Sequence, residues 1–340
     1  MPTAVVIAPG RGSYRKDSLK TLQHSSSALD IADQVRSENN RITIREIDAK
    51  PKFSSRFHIS GENASLLTAA GSFSDFERIS ESYDIVAVCG NSMGHYTALG
   101  LSGALSIYDS CHLIDQMGAY QERNQIGGQL IYPIVDEYWT IDNSRIEMVL
   151  NVVSSIPDLY ISIYLGGNIV LGGTKQALEL AQSQLPTLQI GTTPFPLILP
   201  LHSAFHTPLL ENTSRKAIWD LQHLTCRQPT TPLIDGMGKI WKPKITDIDH
   251  LWEYTLTHQV TKTYHFTNMI RSALRNFAPD VLICLGPGNS IGSAVAQVCI
   301  QEKWWGLNNK SDFTQLQKEQ PKVLSFSRPD QLDLILDPPL

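Results

Sequence analysis

Five residues carry the clearest chemical signal in the chain: Gly90-Asn91-Ser92-Met93-Gly94, a G-x-S-x-G. The run Asp84–Cys89 before it is apolar enough for a buried strand, and a helical stretch is predicted to begin near Tyr96. In that context the glycines permit a tight strand-to-helix turn where a Cβ would clash. The turn lifts Ser92 to the carboxyl edge of a sheet, where open α/β sheets bind ligands. It also sets the hydroxyl at a helix N-terminus, whose unpaired N–H groups favour a developing oxyanion. A serine hydroxyl is a weak nucleophile until a base takes its proton. Of ten histidines, His95 is too close in sequence to turn back on Ser92. His202 and His206, in Leu201-His202-Ser203-Ala204-Phe205-His206-Thr207-Pro208, are the better candidates, and spacing does not choose between them because such partners meet in space.

The elements that must hold these groups alternate. Short apolar runs, Ala4–Ile7, Asp84–Cys89 and Val281–Leu285, each end at glycine and predict buried parallel strands. Helical patterns at 113–122 and 266–276 lie between them, which makes the fold α/β. The middle differs. A strand at 129–135, a helix at 143–154 capped by Asp142, and strands at 159–164 and 168–171 joined across Gly166-Gly167 come first. A helix at 174–184 and a strand at 187–192 follow, completing a β-α-β-β-α-β pattern, the ferredoxin-like order. The expected organisation is a discontinuous core of residues 1–128 and 198–310, an inserted subdomain at 129–197, and a loosely attached tail at 311–340.

Composition narrows the function. The 340 residues are 42% hydrophobic and only 18% charged, which suits a packed globular chain and not a disordered one. A formal net charge of -5 argues against a nucleic-acid binder. The apolar runs are too short to span a membrane, and the N-terminus lacks the charged region of a signal peptide. Five scattered cysteines without a C-x-x-C predict reduced thiols and a cytoplasmic location, and no metal-ligand spacing is present.

At these residues the sequence resembles the malonyl-CoA:acyl-carrier-protein transacylases and the acyltransferase domains of polyketide synthases. Pro9-Gly10-Arg11-Gly12-Ser13 is similar to the family's P-G-Q-G-S, and Gly90–Leu99 to its G-H-S-x-G-E-Y-x-A-L. Gly127-Gly128, Ser203–Leu210 (x-A-F-H-S-P-x-M in the family) and Leu285-Gly286-Pro287-Gly288 follow in the family's order. The resemblance implies a hydrolase-like parallel-sheet domain with a ferredoxin-like insert. It implies that Ser92 takes the acyl group, that His206 is its base, and that a backbone carbonyl near Thr255 orients the histidine. The backbone N–H groups of Arg11 and Met93 would form the oxyanion hole. The implied reaction is ping-pong: acyl-CoA acylates Ser92, and the phosphopantetheine thiol of an acyl carrier protein removes the group, with no bound cofactor.

Departures from the family bear on substrate. Met117 stands where malonyl-selective members carry an arginine, and Asn91 replaces the histidine beside the nucleophile. Methionine cannot make the bidentate pair that a malonyl carboxylate needs, unless Arg11 or Arg123 takes over. Phe205 would narrow the pocket against branched groups. Together these predict a small, non-carboxylated acyl group. An acyl-thioester hydrolase with the same serine, and an inactive scaffold that docks carrier proteins, are the alternatives.

Overall fold

The computed structural model describes residues 1–123 and 125–338. The chain opens with β1 (Thr3–Ala8), passes through helices Ser27–Glu38 and Gly61–Phe76, and returns as β2 (Asp84–Gly90). The middle stretch supplies β3 (Gly128–Pro133), β4 (Leu159–Leu165), β5 (Asn168–Gly173), β6 (Leu188–Ile190), β7 (Thr193–Phe195) and β8 (Leu197–Leu199). The last part gives β9 (Leu233–Ile234), β10 (Ile240–Trp241), β11 (Val281–Cys284) and β12 (Val323–Ser325). The main sheet runs β10-β9-β2-β1-β11-β12 and is parallel except for the β9–β10 pair.

The unbroken apolar strands follow from burial on both faces. Successive side chains of a strand point to opposite sides. In β1, Ala4, Val6 and Ala8 enter one core while Val5 and Ile7 enter the other. β2 and β11 divide likewise: Val88 and Ile283 lie on the first side, and Ala87, Cys89, Leu282 and Cys284 on the second. A strand with one wet face would alternate polar residues here. Helix Ile107–Arg123 packs against helix Gly61–Phe76 at close range, since a Cβ on Gly118 would lie 2.7 Å from the Gly61 carbonyl oxygen.

The middle stretch forms an antiparallel sheet ordered β4-β5-β3-β8. The Asp142 and Thr174 side chains cap the N-termini of its two helices, Asn143–Ser155 and Lys175–Gln184. Leu130, Tyr132, Ile169 and Leu171 face those helices, whereas Ile131 and Val170, one residue out of phase, turn toward the main sheet. One expectation is corrected: residues 187–192 do not close this sheet. Leu188–Ile190 pairs with β7 in a separate hairpin, and Leu197–Leu199 takes the edge position beside β3.

A second correction concerns residues 311–338, which are not a loose tail. Lys310–Glu319 is a helix, and β12 adds to the main sheet beside β11, with Leu324 opposite Ile283 and 1% exposed. Leu324→Ala is expected to lower the unfolding free energy by about 2–5 kcal/mol in urea titrations, the range for a truncated core leucine. A loose tail would give a change below about 0.5 kcal/mol.

Candidate active site

The turn after β2 is built by steric exclusion. A Cβ on Gly90 would lie 2.1 Å from the Gly94 carbonyl oxygen, and one on Gly94 would lie 2.6 Å from that of Ala8. With both glycines in place, the helix Gly94–Leu101 starts directly over the end of β1. The reversal between them puts Ser92 in the left-handed region at φ 55, a conformation that costs a non-glycine residue roughly 1–3 kcal/mol. Asn91 packs beside it, its Nδ2 against Gly10.

His206 meets Ser92 from the loop before Pro208. Ser92 Oγ lies 2.7 Å from His206 Nε2. His206 Nδ1 is 2.5 Å from the backbone carbonyl oxygen of Gln259. A carbonyl only accepts, so Nδ1 carries the proton and Nε2 offers its lone pair to the serine hydroxyl. His206 itself sits at φ 57, held by its N–H to the Val260 carbonyl at 3.1 Å. Burial lowers its pKa to about 4, opposed by the bond to Gln259 and aided by nearby His258. The imidazole is therefore a neutral base at pH 7.

Gln259 was not among the residues singled out from sequence, because a backbone carbonyl leaves no side-chain signature. Its side chain is also engaged: Nε2 donates to the Ser92 carbonyl at 2.9 Å, and Oε1 accepts from the Tyr96 hydroxyl at 2.6 Å. One residue thus ties the nucleophile's turn, the following helix and the base together. Thr255, expected to orient the histidine, does not do so. It lies one turn earlier, in helix Ile248–Leu256, where its hydroxyl donates to Leu251 and meets His95 Nε2 at 3.1 Å. His95 is buried in that contact and does not line the cavity with Ser92.

Other expected residues surround the same space, a cavity of about 610 Å³ lined by Arg11, Asn91, Ser92, Met93, Met117, Phe205 and His206 among others. Among the described residues, neither the Met93 nor the Arg11 backbone N–H has a protein acceptor, so both are free to receive an oxyanion. The Arg11 side chain is engaged through its two terminal nitrogens, while its buried Nε has no partner among the described residues. Its guanidinium donates to the carbonyls of Leu201 at 2.8 Å and Ile59 at 2.9 Å and lies over the Phe205 ring. Burial lowers its pKa to about 10, which leaves it charged. Arg123 is exposed and does not line the cavity. His202 does not pair with Ser92; its Nδ1 meets Gln129 Oε1 at 2.7 Å.

Comparison with solved structures places this architecture. The chain superposes on the malonyl-CoA:acyl-carrier-protein transacylase of Synechocystis with a TM-score of 0.73, at 16% identity, covering 98% of this chain and 99% of that one. A malonyl-transacylase in complex with its type II polyketide synthase acyl-carrier protein gives 0.73 at 15% identity, covering 99% of each. The chain has the transacylase fold. No family model matches it. A non-reducing polyketide synthase of Cladonia grayi is 25% identical over 198 residues, 57% of this chain. The aligned stretches are 7% and 9% of the curated relatives' lengths, so the chain matches only a small part of those proteins. Among the described residues, no helix is long and apolar enough to cross a membrane.

A transacylase-fold serine paired with a desolvated histidine should react with a fluorophosphonate probe at a rate set by neutral His206. The lowered pKa keeps the base free well into acid, so labelling is expected to hold down to about pH 5 and to halve near pH 4. A midpoint near 6.5, the ordinary histidine value, would mean that His206 is not desolvated.

Proposed function

We propose that the protein is an acyltransferase that moves an acyl group from acyl-CoA to the phosphopantetheine thiol of an acyl carrier protein through a Ser92 ester. The observation that carries this reading is the Ser92 Oγ–His206 Nε2 contact of 2.7 Å, backed by the Gln259 carbonyl, at the mouth of a β-strand in the transacylase fold. His206 Nε2 takes the Ser92 proton as Oγ attacks the thioester carbonyl. The oxyanion of the tetrahedral intermediate is received by the Met93 and Arg11 N–H groups. The C–S bond then breaks, and His206 returns the proton to the departing CoA thiolate. In the second half, the carrier thiol gives its proton to His206, its sulfur attacks the ester carbonyl, and Ser92 leaves with the proton restored.

The acyl group is an uncharged one. Met117 supplies no cation, and the Arg11 guanidinium already bridges two backbone carbonyls. Arg15, the remaining arginine on the cavity wall, is solvent-exposed. A malonyl carboxylate would lose its hydration without a bidentate arginine pair at position 117, at a cost of several kcal/mol, roughly. Phe205, stacked under Arg11, supports an unbranched acyl group.

Intact-mass measurement after brief exposure to single acyl-CoAs tests this. Acetyl- or butyryl-CoA is expected to add one acyl mass to the wild type and none to Ser92→Ala. His206→Ala should slow the addition by about 10²–10⁴-fold. Malonyl-CoA should add at least about tenfold less than acetyl-CoA. Malonyl as the favoured adduct would overturn the uncharged-acyl assignment, and no adduct from any acyl-CoA would overturn the transferase.

A further inference from the structure

His202 has a fixed tautomer, and a chain of buried polar groups determines it. The Phe205 carbonyl can only accept, so the Ser162 hydroxyl donates to it, at 2.7 Å. With its single proton spent, Ser162 Oγ accepts from Gln129 Nε2, also at 2.7 Å. Gln129 Oε1 must then face His202, and His202 Nδ1 must carry the proton. Both Gln129 and Ser162 are buried, at 2% and 0% exposed, so water does not scramble the chain. Burial, with Arg11 nearby, lowers the His202 pKa to about 3, which keeps the ring neutral. Its Nε2 is therefore a lone pair that has no partner among the described protein groups.

His202 lines the same cavity as Ser92. Nε2 sits beside Gly12, where a Cβ would lie 3.6 Å from it, and Gly12 directly follows Arg11 in the chain. The neighbouring Leu201 carbonyl accepts from both Arg11 and Gln121, and Gln121 lies one helical turn beyond Met117. His202 and Met117 both line the cavity. An acceptor held in place on the cavity wall is matched by a donor on the ligand, because burying either alone leaves it unsatisfied.

We propose that His202 is a specificity residue that selects acyl groups bearing a hydroxyl, which donates to Nε2, over the same acyl groups without it. This rests on the acyl-transfer reading and names its substrate class: hydroxyacyl thioesters. The donor is the hydroxyl proton, no bond is made or broken at His202, and no further reactant is needed.

The test compares Ser92 acylation rates, by intact mass, for butyryl-CoA against 2-hydroxybutyryl- and 3-hydroxybutyryl-CoA. The better hydroxyacyl donor is expected to exceed butyryl by about three- to tenfold in the wild type, the ratio one hydrogen bond supplies. The ratio should fall to about one in His202→Asn, whose amide can still donate to Gln129 but ends short of the Nε2 position. It should survive in His202→Gln, whose side chain reaches far enough to offer an oxygen there. Because each readout is a ratio within one protein, loss of folded enzyme cancels. Equal wild-type rates, or a preference unchanged in His202→Asn, would overturn the proposal while leaving acyl transfer intact. Failure of all three donors to acylate Ser92 would overturn acyl transfer itself and this proposal with it.

Discussion

The site depends on one steric constraint: the helix after β2 must start in contact with the end of β1. Only glycine satisfies this at positions 90 and 94, where any Cβ would sit within 2.6 Å of backbone. Everything chemical about Ser92 follows from that closeness. The turn forces its left-handed backbone, and the strain of roughly 1–3 kcal/mol is sustained by the two buried cores that clamp β1 and β2. The same geometry presents the Met93 N–H at the head of a helix, where the field already favours negative charge.

The histidine beside Ser92 is held by a different device. His206 shares the strained conformation of Ser92, and its loop is tied on one side to Gln259 and Val260. On the other side, Ser162 of β4 holds the Phe205 carbonyl, and Gln129 of β3 holds Ser162. The antiparallel sheet thus reaches the His206 loop through buried hydrogen bonds, and its apolar residues of the opposite phase complete the cavity wall. Satisfied polar chains of this kind fix one geometry, because any alternative leaves a buried group unpaired. The cavity wall and the His206 loop are consequently parts of one network.

What was legible in sequence follows physical rules. The parallel strands were readable because burial on both faces removes polar alternation, and the serine turn because glycine is the only residue that fits it. The two helix caps at Asp142 and Thr174 carried their own side-chain signals. Between His202 and His206, residue type alone could not decide, since both share one loop and only the fold turns one toward Ser92. The Gln259 carbonyl was invisible for a simpler reason: every residue has one. The expectation fell on Thr255, four positions away and one helical turn off. β12 escaped because three residues after a polar helix give too little period to read, and the edge strand at 197–199 because prolines flank it.

The central claim is that Ser92 passes its acyl group to a thiol and not to water. The most direct measurement isolates the acyl-Ser92 protein and follows its decay by intact mass with and without a phosphopantetheinylated carrier protein. Transfer predicts that the ester outlasts the buffer control and disappears rapidly when carrier is added, with the acyl mass appearing on the carrier. Decay at one rate in both, with free acid as the product, would contradict it and make the protein a hydrolase.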